Sequence, residues 1–122
     1  MIWKPVFGGR YEVSEYGDVR RLAPARGTYV GKVIKPYPIE NGYLKVVLYG
    51  GGKPNGSAFL VSRLVAIAFL GPPPSDKRYE ADHIDNDPTN NHYTNMQWLT
   101  ASENRKKQGK RIQDESLHSV EH

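Results

Sequence analysis

The stretch ADHIDNDPTNNHYTNMQWLTASENRKKQ, residues 81–108, packs an adjacent Asp and His, a run of Asn and Asp, a Trp, a helix-start signal and a cluster of Lys and Arg into 28 positions. Building a hydrophobic core does not require that mixture. Its simplest reading is a short strand ending at Asp82-His83, a polar loop, a second strand through Gln97-Trp98-Leu99, and then a helix. Thr100-Ala101-Ser102-Glu103 fits a capping box, with the Thr100 hydroxyl accepting a backbone N–H of the first turn and Glu103 reaching back to the N-cap amide. Asn104 then falls in that first turn. The Asn amide competes for the helix backbone, so an Asn just inside a well-capped helix points to a task for its side chain.

Working outward, Ser62–Leu70 (SRLVAIAFL) reads as a buried helix, with Ser62 as its N-cap and Gly71-Pro72-Pro73-Pro74 as its stop. RLVAIAFLGPPP at 63–74, DHID at 82–85, NNHYTNMQWLT at 90–100 and SEN at 102–104 together resemble the HNH endonuclease family, in particular its phage and intron-encoded, homing-type members with the ββα-metal motif. The match runs through roughly half the chain and fixes residue type, order and spacing at several positions, whereas DHID alone would be weak. It implies an α+β fold: a small N-terminal β-rich module over 1–56 and an HNH nuclease domain over 57–110, whose ββα-metal core spans 79–109. Residues 111–122 read as a polar, disordered tail. Related sequences usually carry His where Ser62 stands, so this chain lacks one imidazole and a mechanism needing two is disfavoured.

Hydrolysing a phosphodiester requires an attacking water stripped of a proton, positive charge on the phosphoryl oxygens, and help for the departing 3′ oxygen. His83 suits the first task because an unperturbed imidazole titrates near neutrality. Asp82 is a hard oxygen ligand for Mg²⁺ or Mn²⁺, and the Asn104 amide oxygen is a second. The resemblance implies that Asp82 and Asn104 hold one divalent cation, that His83 is the general base, that Asn95 fixes the loop and orients His83, and that the products carry 5′-phosphate and 3′-hydroxyl ends. Consecutive strand residues point to opposite faces, so Asp82 and His83 converge on one phosphate only if the strand bends or ends there. Asp85-Asn86-Asp87-Pro88 supplies the turn. These residues, with Asn90 and Asn91, read as turn formers, because the Gly and terminal Glu of an EF-hand loop are missing. His92 reads as exposed. Arg105, Lys106 and Lys107 follow the metal-bearing turn, so a phosphate backbone would run along that helix.

At the other end, WKPVFGGRYEVSEYGDVRRL resembles the small NUMOD4 module through Trp3, Pro5, Tyr11, Val13, Ser14, Gly17, Val19 and Arg20, which implies DNA contact by a hairpin. Trp3, Tyr11 and Val13 read as the core of a small sheet, and Arg20 and Arg21 as the phosphate contacts. Strands are expected at Lys32–Lys35, Tyr43–Tyr49 and Ala58–Val61, separated by Pro36-Tyr37-Pro38, Asn41-Gly42 and a flexible Gly50–Gly56 loop. Leu44, Val46 and Leu48 alternate with Tyr43, Lys45, Val47 and Tyr49, giving one apolar face and one aromatic-basic face.

Composition bounds what remains. A chain of 122 residues is one domain-sized unit or two small modules sharing a core. With no Cys there are no disulfides and no thiolate-held zinc, which leaves oxygen and nitrogen donors for any metal. No apolar run approaches ~18 residues, so the reading is a soluble cytosolic protein, in the host cytoplasm if phage-encoded. Residues 1–71 hold 10 Lys/Arg against 4 Asp/Glu and residues 72–122 hold 7 against 9, which together make the net +4. A polyanion would be held by the basic first part and the 105–111 cluster, with a metal at the acids between. The function so implied is a metal-dependent endonuclease acting on double-stranded DNA. One ββα site faces one strand, so a monomer nicks, and double-strand cleavage needs a homodimer, a partner protein or a second binding event. The competing class is a non-catalytic DNA-binding protein that keeps the HNH scaffold.

Overall fold

A computed structural model describes residues 1–109; the expected tail over 111–122 lies outside the described residues. Among the described residues there are three small antiparallel sheets, two α-helices and two short 3-10 turns. The first sheet is β1 (Trp3–Val6), β2 (Tyr11–Ser14), β3 (Val19–Arg21) and β4 (Val33–Ile34), in that order. The second is β5 (Tyr37–Pro38), β6 (Leu44–Gly50) and β7 (Lys53–Leu60), again in chain order. Helix α1 (Val61–Leu70) follows β7 directly. The third sheet pairs β8 (Tyr79–His83) with β9 (Met96–Thr100), and helix α2 covers residues 101–109.

Helix α1 is the hub. Val61, Leu64 and Val65 recur at the spacing of one helix face and are all buried, and α1 packs against β1 and β2, β6 and β7, and β8 and β9, so all three sheets meet on it. Val6, Tyr11, Val13, Val19, Val46, Leu48 and Met96 close the same core. The expected boundary between residues 56 and 57 falls inside β7. The N-cap position of α1 is Leu60, with no side-chain capping bond, and Ser62 is a buried residue of the first turn. Leaving β7 without a connecting loop puts the helix start two residues earlier than a Ser62 N-cap would. Gly71, with φ 83, ends the helix as expected.

The Gly50–Gly56 loop contracts to a tight turn. Gly51 and Gly52 adopt φ 65 and 78, and β7 pairs with β6 from Lys53 onward, so Pro54 lies within a strand. Val46 and Leu48 are fully buried and Tyr49 is exposed, in keeping with the alternation. Tyr11 and Val13 are core residues, whereas Trp3 is half-exposed under the Arg20 guanidinium, 3.8 Å from the ring centre.

The turn between β2 and β3 docks the first sheet onto the loop between β8 and β9. Ser14 Oγ accepts from the backbone of Tyr16 and Asp18 and shapes the turn. The Tyr93 amide donates to the Glu15 carbonyl at 3.0 Å, and Tyr16 stacks edge-on with His92. His92 is therefore half-buried between Tyr16 and Tyr93 rather than exposed. Gly17 has φ +93, and a Cβ there would lie 3.0 Å from both Asn91 Cβ and Val61 Cγ1. Only glycine combines that backbone with that approach.

Candidate active site

The β8–β9 ladder pairs Asp82 with Gln97 and His83 with Met96, which sends neighbouring side chains to opposite faces. Glu80 and Asp82 share the face toward α2. The capping box forms as expected: the Thr100 amide donates to Glu103 Oε1 at 3.0 Å and the Glu103 amide to Thr100 Oγ1 at 3.2 Å. These bonds hold the Glu103 carboxyl below its ordinary range, the backbone bond to Thr100 first. They also fix the rotation of α2, so that Asn104 and Lys107, three residues apart, face the strand together.

Asn104 turns inward. Its Nδ2 donates to Glu80 Oε2 at 2.7 Å, and because a carboxylate only accepts, the remaining atom is Oδ1. That oxygen is buried and has no hydrogen-bond partner among the described residues. Asp82, also buried, accepts on Oδ2 from Gln97 Nε2 at 2.9 Å and from Lys107 Nζ at 2.6 Å. Lys107 Nζ further donates to the His83 carbonyl at 2.9 Å. Lys107 therefore directs its ammonium inward to the Asp82 carboxylate and the strand end instead of along the outer helix face. Arg105 and Lys106 stay exposed.

His83 lies in a second cluster. It is buried, its Nε2 is 2.7 Å from Asn91 Oδ1, and its ring centre is 5.8 Å from that of Tyr43. With an amide oxygen as partner, Nε2 carries the proton and Nδ1 is left as the basic nitrogen. The residue reaching the imidazole is thus Asn91, and not Asn95. Asn95 instead locks the loop: its Nδ2 donates to Asp85 Oδ1 and to the Asn90 carbonyl at 3.0 and 2.8 Å, and its Oδ1 accepts from the Asp85 amide at 3.1 Å. Asp85 and Asp87 organise the turn. Asn90, the Asp87 amide and Asn95 hold the Asp85 carboxyl low, and Thr89, through its hydroxyl and then its amide, holds Asp87 low. The strand stops at His83, and the Asn86 amide turns back to its carbonyl at 3.0 Å, so the bend follows His83 and the Asp82 and His83 side chains stay on opposite faces of the hairpin.

The donor chemistry fits a hard divalent cation. Among the described residues no three His, Cys, Asp or Glu side chains form a metal-holding group, so a cation would take two protein oxygens, one from Asp82 and the orphaned one from Asn104, and complete its shell with water and phosphate. Glu80, Gln97 and Asn91 were not singled out as site residues from sequence. Glu80 was legible as the same-face neighbour of Asp82 two residues upstream. The pairing of Asn91 with His83 depends on how an irregular loop folds back, for which periodicity carries no signal.

The arginines of the first sheet differ from each other. Arg20 Nε pairs with Glu12 Oε1 while its guanidinium covers Trp3. Arg21 is buried and donates from Nη1 to Tyr11 Oη at 2.7 Å.

This architecture, a β-hairpin carrying Asp-His followed by a capped helix presenting Asn, defines the class, and comparison with known proteins agrees: the HNH endonuclease family profile matches residues 59–106. A solved structure of the HNH homing endonuclease I-HmuI, described as showing DNA binding and cleavage, superimposes with a TM-score of 0.73 at 31% identity, covering 99% of this chain and 68% of that one. The chain belongs to the HNH endonuclease family. In sequence it is 37% identical over 106 residues to DNA endonuclease I-HmuI of Bacillus phage SP01, covering 82% of this chain and 53% of the relative. It is 29% identical over 113 residues to the uncharacterized HNH endonuclease L247 of Acanthamoeba polyphaga mimivirus, covering 84% and 25%. The chain thus spans about half the length of one curated relative and a quarter of the other. Among the described residues no helix is long and apolar enough to cross a membrane.

Proposed function

We propose that this protein is a divalent-metal-dependent endonuclease acting on double-stranded DNA, leaving 5′-phosphate and 3′-hydroxyl ends and nicking one strand per site. The observation that carries the reading is the buried, unpartnered Asn104 Oδ1, oriented by Glu80 on the face that also presents Asp82. Asp82 and Asn104 would hold Mg²⁺ or Mn²⁺. When bound, such an ion supplies positive charge to the phosphoryl and departing 3′ oxygens. His83 takes the proton from the attacking water at Nδ1, with Asn91 holding Nε2–H and so fixing the tautomer. Asn95 keeps the loop that carries Asn91 in place. Arg105 and Lys106, exposed beyond Asn104, track the phosphate backbone.

Supercoiled plasmid incubated with Mg²⁺ or with chelator tests this directly. Conversion to nicked circles only with metal is expected, and His83→Ala should abolish it while DNA affinity stays within about twofold, because the imidazole acts on water and not on the duplex. Nicking that persists in chelator, or in His83→Ala, would overturn the assignment. A second reading, a DNA-binding protein without cleavage, is favoured by one observation: the Lys107 ammonium already sits on the Asp82 carboxylate. Plasmid that is bound but never nicked in Mg²⁺ or Mn²⁺ would decide for it.

A further inference from the structure

Two adjoining hollows of about 420 and 350 Å³ open on the first sheet, away from Asp82 and His83, and share Arg21 and Tyr49 in their walls. Arg10 lines the first, and Arg26 and Lys32 line the second. No carboxylate lines either. Arg21 is the inner wall: it is 8% exposed, its Nη1 is spent on Tyr11 Oη, and its Nε is buried with no partner. Tyr11 Oη also accepts from the Tyr49 amide at 3.0 Å, so the phenol holds the arginine in place without neutralising it. Arg21 has no acidic partner among the described residues, where the ion pairs are Arg20–Glu12 and Lys107–Asp82.

A guanidinium removed from water without a counter-charge is costly, and buried charges are as a rule paired. The surrounding structure concentrates positive charge there. The chain between β3 and β4 folds back through Arg21 N to Lys32 O at 2.9 Å and Gly31 N to Arg21 O at 2.7 Å, which brings Arg26 and Lys32 to the rim. The exposed Arg10 passes over Gly50, where a Cβ would stand 2.0 Å from its Nη1, so a side chain at 50 would force this guanidinium to move.

We infer that the junction of these two hollows is an anion site that seats one phosphate of a nucleic-acid backbone, with Arg21, common to both, as its buried anchor, Arg10 on one side and Arg26 and Lys32 on the other. Phosphate is the anion whose several acceptor oxygens and charge match a forked guanidinium with further cations around it. The nucleic-acid source rests on the endonuclease reading above; the anion site itself does not.

The test uses the full chain in chelator, so that cleavage plays no part. Rising inorganic phosphate at constant ionic strength should raise the melting temperature of the unaltered protein, and the rise should vanish in Arg21→Met and shrink in Arg26→Ala/Lys32→Ala. Binding of a short labelled duplex, followed by anisotropy across a salt series, should weaken roughly tenfold in Arg21→Met, with the log–log salt slope smaller by about one. The double rim variant alters only exposed side chains, so it decides the matter even if Arg21→Met folds poorly. An equal phosphate-induced rise in all three proteins would overturn the anion site. A phosphate response lost in the variants while duplex affinity and slope stay unchanged would mean a free-phosphate site and overturn the nucleic-acid assignment. Failure of plasmid nicking would leave these readouts intact, which separates the two proposals.

Discussion

Replacing Lys107 by Met separates the ion pair of the Asp82 carboxylate from its proposed role as a metal ligand. In this structure Lys107 Nζ lies 2.6 Å from Asp82 Oδ2, with side-chain exposures of 25% and 9%, and Nζ also holds the His83 carbonyl. A charge-assisted contact of this kind contributes about 1.5–3 kcal/mol, toward the lower end here because the lysine is partly solvated. Lys107→Met should therefore lower the melting temperature of the metal-free protein by roughly 5–15 °C. A cation that takes up Asp82 must displace or share with the ammonium, so the same free energy is returned to metal binding when the lysine is gone. At 1.4 kcal/mol per decade, Mn²⁺ should bind the variant about ten- to a hundredfold more tightly. Calorimetric titration with Mn²⁺, paired with melting curves with and without the metal, reads both effects. Mn²⁺ affinity that is unchanged or weaker in the variant would refute the competition and make Lys107 a companion of the metal.

Glu80→Ala releases the Asn104 amide to rotate, and Mn²⁺ affinity should fall roughly tenfold or more with little change in melting temperature; an unaltered titration would remove Glu80 as the orienting residue. Gly17→Ala forces a positive-φ alanine against Asn91 and Val61, and should destabilise by about 1–3 kcal/mol in chemical denaturation while also slowing nicking; full stability would disprove the close approach. Asp85, Asp87 and Glu103 all have carboxyls held below their ordinary values. A depressed folded pKa gives stability that is complete above the unfolded value, about 3.9 for Asp and 4.3 for Glu, and is lost as pH falls through the folded one. Melting temperature should thus lose nothing to these groups between pH 7 and about 5 and decline below, with a shallower acid limb in Asp85→Asn; a loop-dependent loss centred above pH 5 would contradict this.

The ββα half was legible because its signals are local. The Thr100–Glu103 capping box, the Gly71 stop and the turn-forming Asp85 and Asp87 each act within a few residues; the box and the turn form the bonds their spacing requires, and Gly71 takes the positive φ that ends the helix. Alternation in β6 likewise identified Val46 and Leu48 as core. What escaped were the encounters of long or loop-borne polar side chains. Lys107 reads with Arg105 and Lys106 as a phosphate contact along the helix, yet its flexible stem reaches back to Asp82 and the strand end. Arg20 and Arg21 look alike in sequence, but alternation puts one over Trp3 and the other inside. Ser62 has the chemistry of an N-cap, and only the absence of a loop after β7 moves the cap to Leu60.

The meeting of three sheets on α1 also bears on how such a chain could be taken apart. Six of the ten core residues, Val6, Tyr11, Val13, Val19, Val46 and Leu48, precede position 57, and the other four follow it. Severing the polypeptide there would strip the greasy side of α1 on which β8 and β9 also rest. The Asp-His hairpin is consequently not a cassette that recombination can graft alone onto a foreign DNA reader; to travel intact, it has to bring its own amino-terminal sheets with it.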